Sequence, residues 1–590
     1  MDCTLKYIYK YWTLVIIALA LCIGTPARAQ DVTTERGAGV HQQDNKNNRD
    51  QRKREEDLKK KTNPKISIKI DSPQDKIDLT KLPDKKSIPL KQIVFSPKSS
   101  IEDTPSLKAL VEPYLNRNVS LKDLHTLRIA INKLYAKKGY IANVVLLDQE
   151  IKQGRVIFTT IEGKVGKFKI QSTRLLQKKQ GYPAYQDVPD EKLLGMNKKY
   201  LLDTLGIKQG DVVHSKRIED ALIRFNLLND AKLRVKLGAG ASYGLTDIDL
   251  VVDEPEPFEL SYYFDNAGRV STGKFRHGLS ATVRNITGRG DTLFVNGIHT
   301  TGGGSTNAYF NYTLPVTTQG TRLTLSYDHS QYEIIKGANR PLDINGLSQT
   351  IGLGLAQPFV LGRNQLFNIY TNISDYNARS YFAGTQQTRD RFLTITPGFS
   401  YEVYSDKHTF IMDHSFAFGL NSNGYDEAYS IYRNSFTYIN RPNREWSIVT
   451  RLSGQLTKEK NLPASQQFIV GGISSVRGYS EGVLSGDDGY YLRTELRRNI
   501  LSRFSGPVEN DRPMIIDGFA FIDHGGAFPF KGAGESVDKN DFLTSVGIGA
   551  SMEMIKKLSA RVTLAVPITG TDEDLDYQSV RVHFYFQWNF

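Results

Sequence analysis

The chain has 590 residues, a formal net charge of +13 and two cysteines, Cys3 and Cys22. Both cysteines lie in a segment that we predict to be removed, so disulfide bonds and thiolate metal sites are excluded from the mature chain. Beyond that segment, no apolar run reaches the roughly 20 residues of a transmembrane helix. A closed β-barrel is therefore the one membrane architecture that the sequence leaves open.

The first 29 residues are typical of a secretory signal peptide. Lys6 and Lys10 precede the apolar run Leu14–Ile23, and the small-residue motif Ala27–Ala29 follows it. A membrane anchor is the alternative, but the run is shorter than a bilayer requires. We predict export, with cleavage before Gln30. An exported chain does not meet nucleic acid, so the basic excess favours a basic lumen or a basic module that faces an acidic protein.

Residues 30–83 form a polar segment that is almost free of aromatic side chains. Asp44–Lys61 is densely charged, which is typical of a solvated tail. Within it, Arg52–Lys61 is an alternative candidate for a short charged helix. Pro64–Pro89 is predicted to be a linker.

Residues 84–165 and 166–254 are predicted to be two soluble α/β modules. In the first, Ser120 and Asp123 resemble a capping box that opens a helix with apolar residues at helical spacing, and Gly139 ends it. Its predicted strands are Leu90–Phe95, Ala142–Leu147 and Val156–Ile161. The second module has predicted helices at Asp190–Leu205 and Lys216–Leu228, and predicted strands at Lys167–Ser172, Leu233–Leu237 and Asp247–Val252.

Residues 255–590 lose helical periodicity and show short alternating runs separated by turn residues. Leu323, Leu325 and Tyr327, for example, alternate with polar neighbours. Alternation with an apolar outer face and a polar inner face is typical of an outer-membrane antiparallel β-barrel. At roughly 20 residues per strand and connection, the segment accommodates about 16 strands. A soluble sandwich would explain the alternation, but not the arginines that recur on one face.

The last eleven residues alternate without interruption and end in aromatic side chains. One face is wholly apolar and includes Trp588 and Phe590, while the other includes Arg581 and His583. We predict that Trp588 and Phe590 act as a membrane-insertion signal, with outer-membrane lipid and the barrel-assembly machinery as partners.

The most specific stretch runs from Gly471 to Arg498 and contains the tetrapeptide Val476, Arg477, Gly478 and Tyr479. Downstream, Phe521, Asp523 and Gly525 form an F-x-D-x-G motif. Between the two motifs, a strand places Arg493, Glu495 and Arg497 on one face, which we predict to line the lumen.

In these residues the chain resembles the two-partner secretion transporters, the haemolysin- and haemagglutinin-exporting branch of the POTRA-plus-barrel superfamily. The resemblance implies that the sixth outer loop folds into the barrel and that Arg477 at its tip pairs with Asp523 on the lumen wall. It also implies an amino-terminal helix that plugs the pore, for which Arg52–Lys61 is the candidate.

The first module is similar to the haemolysin-transporter type of POTRA domain. The matching residues are Gly139, Tyr140, Gln149, Gly154, Glu162 and Gly163. The pattern departs at Leu147-Asp148, where that family usually has a proline pair. The fold expected from the resemblance is an outer-membrane antiparallel β-barrel of about 16 strands, preceded by two α/β POTRA domains and an amino-terminal polar segment or plug helix.

The function that the resemblance implies is translocation of a large unfolded exoprotein from the periplasm to the cell surface. The partner is a secreted exoprotein with an amino-terminal secretion domain, which the periplasmic modules bind. Two alternatives remain open, a barrel-assembly insertase of the same superfamily and a passive porin.

No enzyme site, cofactor or metal site is expected. Gly268–Lys274 nearly matches a phosphate-binding loop, but Phe275 stands where Ser or Thr must bind magnesium. His524 follows Asp523 directly, and adjacent strand residues face opposite sides, so they do not form an acid–base pair. The histidines are scattered without metal-ligand spacing.

Overall fold

The computed structural model describes residues 42–43, 45–47, 49–50, 68–70, 87–172, 195–420, 428–459, 461–503, 514–528, 541–554, 558–569 and 578–590. These residues belong to two compact units, one made of residues 1–63 and 256–590, the other of residues 64–255. The predicted signal peptide and the predicted helix Arg52–Lys61 lie outside the described residues. In the part of the chain just defined, no helix is long and apolar enough to cross a membrane.

The unit of residues 64–255 contains two small α/β layers. The elements of the first are β2 Ser87–Leu90, β3 Gln92–Ser96, α1 Pro105–Val111, a 3-10 turn Glu112–Tyr114, β4 Arg117–Ser120, α2 Leu121–Lys137, β5 Ala142–Val145 and β6 Arg155–Glu162. They form a three-stranded sheet in the order β3-β6-β5, a strand pair β2-β4 and two helices.

Helix α2 begins at the predicted capping box. The Asp123 amide donates to Ser120 Oγ at 3.1 Å, and the Ser120 amide donates to Asp123 Oδ2 at 2.9 Å. The hydrogen bond from the Ser120 backbone lowers the pKa of Asp123, because it favours the charged carboxylate. From this start, Leu127 and Ile131 are buried against Phe158 of the sheet.

The second layer has a four-stranded sheet in the order β1-β8-β9-β7, covered by two helices. Its elements are β1 Ile68–Ile70, β7 Lys164–Ser172, α3 Lys198–Leu205, α4 Ser215–Leu228, β8 Lys232–Ala239 and β9 Leu245–Asp253. Leu201, Leu222 and Phe225 from the helices are buried in the same core as Leu233 and Ile248 of the sheet.

Three local predictions differ from this layout. The predicted linker contains β1 and most of β2, because three- and four-residue strands are too short to show a periodicity. The predicted strand Leu90–Phe95 is divided at Lys91, where the amides of Lys91 and Gln92 both donate to the Gly154 carbonyl.

The predicted helix Asp190–Leu205 is shorter in the described residues. It begins at Lys198, with the Asn197 side chain accepting the Tyr200 amide at 3.2 Å. The amides of Gly195 and Met196 donate to the Glu254 carboxylate instead of entering the helix.

The other unit is a closed antiparallel barrel of sixteen described strands, which confirms the predicted fold. Two further short strands, β21 Phe468–Val470 and β22 Leu484–Gly486, pair with each other in the loop between β20 and β23. The barrel strands are β10 Phe258–Asp265, β11 Arg276–Arg284, β12 Thr292–Thr300, β13 Ser305–Pro315, β14 Arg322–Glu333, β15 Asn345–Gly362, β16 Gln365–Phe382, β17 Thr385–Tyr404, β18 His408–Leu420, β19 Tyr429–Asn440, β20 Trp446–Thr457, β23 Asp488–Arg503, β24 Met514–Phe528, β25 Phe542–Met554, β26 Leu558–Pro567 and β27 Arg581–Asn589. A 3-10 turn, Arg340–Leu342, lies between β14 and β15.

The two faces of each strand follow the predicted alternation. Leu325 and Trp588 are exposed on the outer surface, whereas Arg581 and His583 of the last strand are buried inside. Closure of the barrel pairs the backbone groups of every strand edge, and the alternation presents apolar side chains to lipid.

The barrel closes where β10 pairs with β27, over the five residue pairs from Ser261↔Asn589 to Asp265↔Tyr585. Asn266 extends this seam with its side chain, which donates to the Val582 carbonyl at 2.7 Å and accepts the Phe584 amide at 2.9 Å. The amide group thus takes the place of one more backbone residue in the ladder.

We predict that Asn266→Ala weakens the seam by about 1–3 kcal/mol, because two hydrogen bonds are lost at about 0.5–1.5 kcal/mol each. The measurement is the temperature at which folded barrel converts to unfolded chain on a denaturing gel. Asn372→Ala, an exposed position on β16, is the control. Equal transition temperatures for the two variants would contradict this role of Asn266.

Candidate functional site: the loop and the helix inside the barrel

The loop between β20 and β23 folds into the barrel and brings the two predicted motifs together. Arg477 is 1% exposed and Asp523 of β24 is fully buried. Arg477 Nε donates to Asp523 Oδ2 at 2.6 Å and Nη2 donates to Oδ1 at 2.8 Å. Its backbone amide also donates to Asp523 Oδ2, at 3.2 Å. This bidentate arrangement is the strongest and most directional way to hold a guanidinium group.

A second carboxylate shares the Arg477 guanidinium. Arg477 Nη1 donates to Glu495 Oε1 at 2.5 Å, and the guanidinium carbon lies 3.6 Å from the centre of the Phe521 ring. Glu495 also accepts from Arg497 Nε at 2.8 Å and from Arg561 Nη2 at 2.6 Å. Glu495 therefore holds the loop and two wall arginines at once.

The predicted lumen residues do not play equal parts. Arg493 is buried and donates to the Ile473 carbonyl of the loop at 3.0 Å, with its guanidinium 3.8 Å from Asp523. Arg497 remains one-quarter exposed beside Glu495. Arg561 of β26 was not singled out from the sequence. Its alternation places it on the inner face, but its position beside Glu495 depends on the barrel closing.

The rest of the loop tip binds the last strands of the barrel. The Gly478 amide donates to His583 Nε2 at 3.1 Å, and Arg581 Nη2 donates to Ser480 Oγ at 3.0 Å. Gly478 has a φ of +95°, a left-handed conformation that strains a residue with a Cβ. The loop thus contacts β27 as well as β23 and β24.

Val476 and Tyr479 fasten the tip by packing. Both are completely buried, in one apolar cluster with Val470, Leu484 and Leu543. The Tyr479 hydroxyl lies 2.7 Å from the Thr544 carbonyl oxygen and 2.6 Å from that of Thr569.

Gly525 lies one alternation step beyond Asp523 on β24. A Cβ at this position would meet the Tyr490 carbonyl oxygen at 2.6 Å and Tyr491 Cβ at 2.8 Å. The close approach of neighbouring backbone explains the glycine of the F-x-D-x-G motif. His524 faces away from Asp523 and bonds with Tyr490 and Thr544.

A second element inside the barrel unit was not located from the sequence. Described residues between 42 and 50 are helical, ahead of the predicted Arg52–Lys61. Gln42, Asn45 and Arg49 are each less than a tenth exposed, and their spacing puts them on one helix face. Their polarity hid this face from a search for apolar periodicity.

Asp328 of β14 is the main contact of this helix, which we call the lumen helix. Arg49 Nη1 donates to Asp328 Oδ2 at 2.8 Å, and its guanidinium carbon lies 3.5 Å from the centre of the Tyr309 ring. Gln42 Nε2 donates to Asp328 Oδ1 at 3.1 Å. Asn45 accepts from Arg276 at a longer 3.4 Å.

Metal binding finds no support among the described ranges. Within them, no group of three or more His, Cys, Asp or Glu side chains is arranged to hold an ion. The charged groups at the loop tip contact each other and backbone atoms, so their arrangement serves to hold one element against another.

We predict that Arg477→Met and Asp523→Leu each lower the free energy of unfolding by about 3–5 kcal/mol, because each leaves a buried charge without its partner. The double variant should lose less than the sum of the two. Urea unfolding in detergent micelles measures all four corners of this cycle. Strict additivity would show that the two residues do not interact.

Residues 244–552 match a family model described as haemolysin secretion/activation protein ShlB/FhaC/HecB, and residues 88–163 match the POTRA domain of ShlB type. The heme/hemopexin transporter protein HuxB of Haemophilus influenzae strain Rd is 24% identical over 517 residues, covering 83% of this chain and 85% of that protein. The outer membrane transporter CdiB of Dickeya dadantii is 22% identical, over 66% and 68% of the two chains.

The solved structure of CdiB from Escherichia coli superposes with a TM-score of 0.68 at 18% identity. It covers 96% of this chain and all of the other. A BamA structure from Haemophilus ducreyi lacking POTRA domains 1–3 superposes with a TM-score of 0.50 at 14% identity, over 86% of this chain. At these levels of identity, the two structures show that the fold is shared.

Proposed function

This chain belongs to the haemolysin secretion/activation protein family, and from that premise we propose that its exoprotein partner crosses the barrel lumen unfolded after the loop tip and the lumen helix have moved aside. Translocation of a large exoprotein across the outer membrane is the function of the family and of this chain. We propose residues 84–165 and 166–254 as its periplasmic modules and 255–590 as its channel.

The observation that carries this proposal is that Arg477, at the tip of a loop folded into the lumen, is bound by the carboxylates of Asp523 and Glu495. A passive porin needs a lumen open to solutes, whereas this lumen contains a loop and a helix held by ion pairs. Polar contacts of this kind can be exchanged for water or for a passing chain, which suits elements that must leave and return.

The periplasmic modules offer edges where an extended segment of the partner can bind. In the described residues, the three-stranded sheet ends at β3 and β5. On β5 the Val144 amide donates to the Asn132 side chain at 2.7 Å and the Val144 carbonyl accepts from it at 3.2 Å, so β3 is the edge that is left for pairing. We propose that the partner's amino-terminal secretion domain adds a strand to such an edge, with backbone pairing supplying affinity.

The end of the last strand and the absence of an assigned reaction complete the proposal. The barrel-assembly machinery is proposed to read the end of β27, where Trp588 and Phe590 are exposed to lipid. The family consists of transporters, and we propose no catalytic activity for this chain.

We predict that Arg477→Ala leaves the barrel inserted but lowers export by about tenfold or more, because the tip loses interactions worth several kcal/mol. The assay compares exoprotein in the culture supernatant with exoprotein in the periplasm, while heat-modifiability reports barrel insertion. Arg444→Ala, in an exposed turn, is the matched control. Normal export by an inserted Arg477→Ala protein would contradict the proposed role.

We predict that Arg49→Ala raises the open fraction of the channel by about tenfold, because a charge-assisted hydrogen bond of about 1.5–3 kcal/mol is lost. Asp328→Ala should do the same, and deletion of residues 44–61 should do so permanently. Planar-bilayer conductance is the measurement, with Asn47→Ala, an uncharged and half-buried position of the same helix, as control. Unchanged conductance in all three would show that the segment is a solvated tail.

A further inference from the structure

Three neighbouring strands extend beyond the thickness of a bilayer. β15 and β16 have 18 residues each and β17 has 20, whereas a tilted membrane strand needs about 9–11. The connections on the same side as the β16–β17 turn include the long segments 334–344 and 458–487, whereas 363–364 and 405–407 on the opposite side are short. Periplasmic turns are short and extracellular loops are longer, so the β16–β17 turn lies on the outer side of the membrane and the excess length projects there.

Register shows which face of this projection meets the lipid. Ile369 and Ile373 of β16 are 51% and 40% exposed, which marks the outer surface of the barrel. Arg379 follows Ile373 by six residues and so shares its face. Arg389 of β17 lies directly opposite Arg379, and Arg391 lies opposite Asn377. All three arginines consequently lie on the outer wall.

Aromatic side chains at the periplasmic end mark the level in the membrane from which the positions of these arginines follow. Phe367 packs between Phe359 and Phe399, with ring centroids 6.3 and 6.1 Å away, as in the interfacial girdle of a barrel. Asn377 follows Phe367 by ten residues. At about 3.3 Å per residue and a tilt of about 40°, that distance spans about 25 Å, the height of the apolar band. Arg391 thus lies at the outer boundary, and Arg379 and Arg389 lie just beyond it.

Arg379 and Arg389 are like charges directly opposite each other on two strands, an arrangement that destabilises the pair. Among the residues that the structure describes, the side chain of neither arginine makes a hydrogen bond or an ion pair. Arg391 lies closer to the membrane than Arg379 and Arg389, and its Nη2 is 3.3 Å from Asp375 Oδ2. An anion bound between Arg379 and Arg389 would remove their repulsion.

We propose that Arg379, Arg389 and Arg391 bind the phosphate groups of the phosphorylated glycolipid in the outer leaflet, lipopolysaccharide. The guanidinium fork matches phosphate oxygens in a bidentate manner, and lipid phosphates occupy the level at which these side chains lie. The site is separate from the lumen and rests on the outer-membrane location of the barrel, whatever exoprotein is exported. It ties the projecting strands to the lipid surface.

The test uses full-length protein purified in detergent and depleted of lipid. Binding of lipopolysaccharide with bisphosphorylated lipid A is compared for the natural protein and for the double variant Arg379→Gln/Arg389→Gln. The matched control, Lys407→Gln/Arg444→Gln, removes the same charge from exposed turns at the periplasmic end. Arg379→Lys/Arg389→Lys keeps the charge, and heat-modifiability verifies that every variant is folded.

We expect the glutamine variant to bind at least about tenfold more weakly, the lysine variant to bind in between, and the control pair to bind as the natural protein does. Dephosphorylated lipid A should distinguish none of the variants. Equal binding by the glutamine variant and the control pair would overturn the site. Competition by inorganic phosphate at the same phosphate concentration would overturn the assignment to lipid.

Discussion

A buried guanidinium group needs carboxylates around it, and this requirement organises the interior of the barrel. Arg477 donates hydrogen bonds to Asp523 of one strand and to Glu495 of the neighbouring strand, and Glu495 also accepts a hydrogen bond from Arg561. Removing either Arg477 or Asp523 leaves the other buried charge without its main partner, which costs several kcal/mol. The loop is therefore held in one position, although no covalent bond retains it.

Barrel closure supplies the conditions for this interaction. A membrane strand must satisfy its backbone groups with its neighbours, and the apolar band of its outer face meets lipid, so polar side chains at the depth of that band collect on the inner face. The Asn266 side chain continues the seam between the first and last strands, where backbone pairing is brief. Loop tip and last strand also meet through Gly478 and His583, so loop position and barrel closure are physically linked.

The lumen helix and the loop tip use the same kind of bond in separate places. Arg49 lies on Asp328 of β14, whereas Arg477 lies on Asp523 of β24. The two contacts share no residue. Ion pairs and hydrogen bonds hold both elements, and the loop tip is held in addition by the apolar cluster around Val476 and Tyr479.

The sequence by itself determined the architecture and the pairing of Arg477 with Asp523 through its resemblance to known transporters. Alternation of side chains has a period of two residues, so it can be read within one strand, and the capping box of Ser120 and Asp123 is equally local. Only the tertiary structure decided that Glu495 also accepts a hydrogen bond from Arg561, that polar residues between 42 and 50 form the lumen helix, and that Arg379 lies opposite Arg389. These contacts join residues far apart in the chain, and they depend on strand register and barrel closure, which no local pattern specifies.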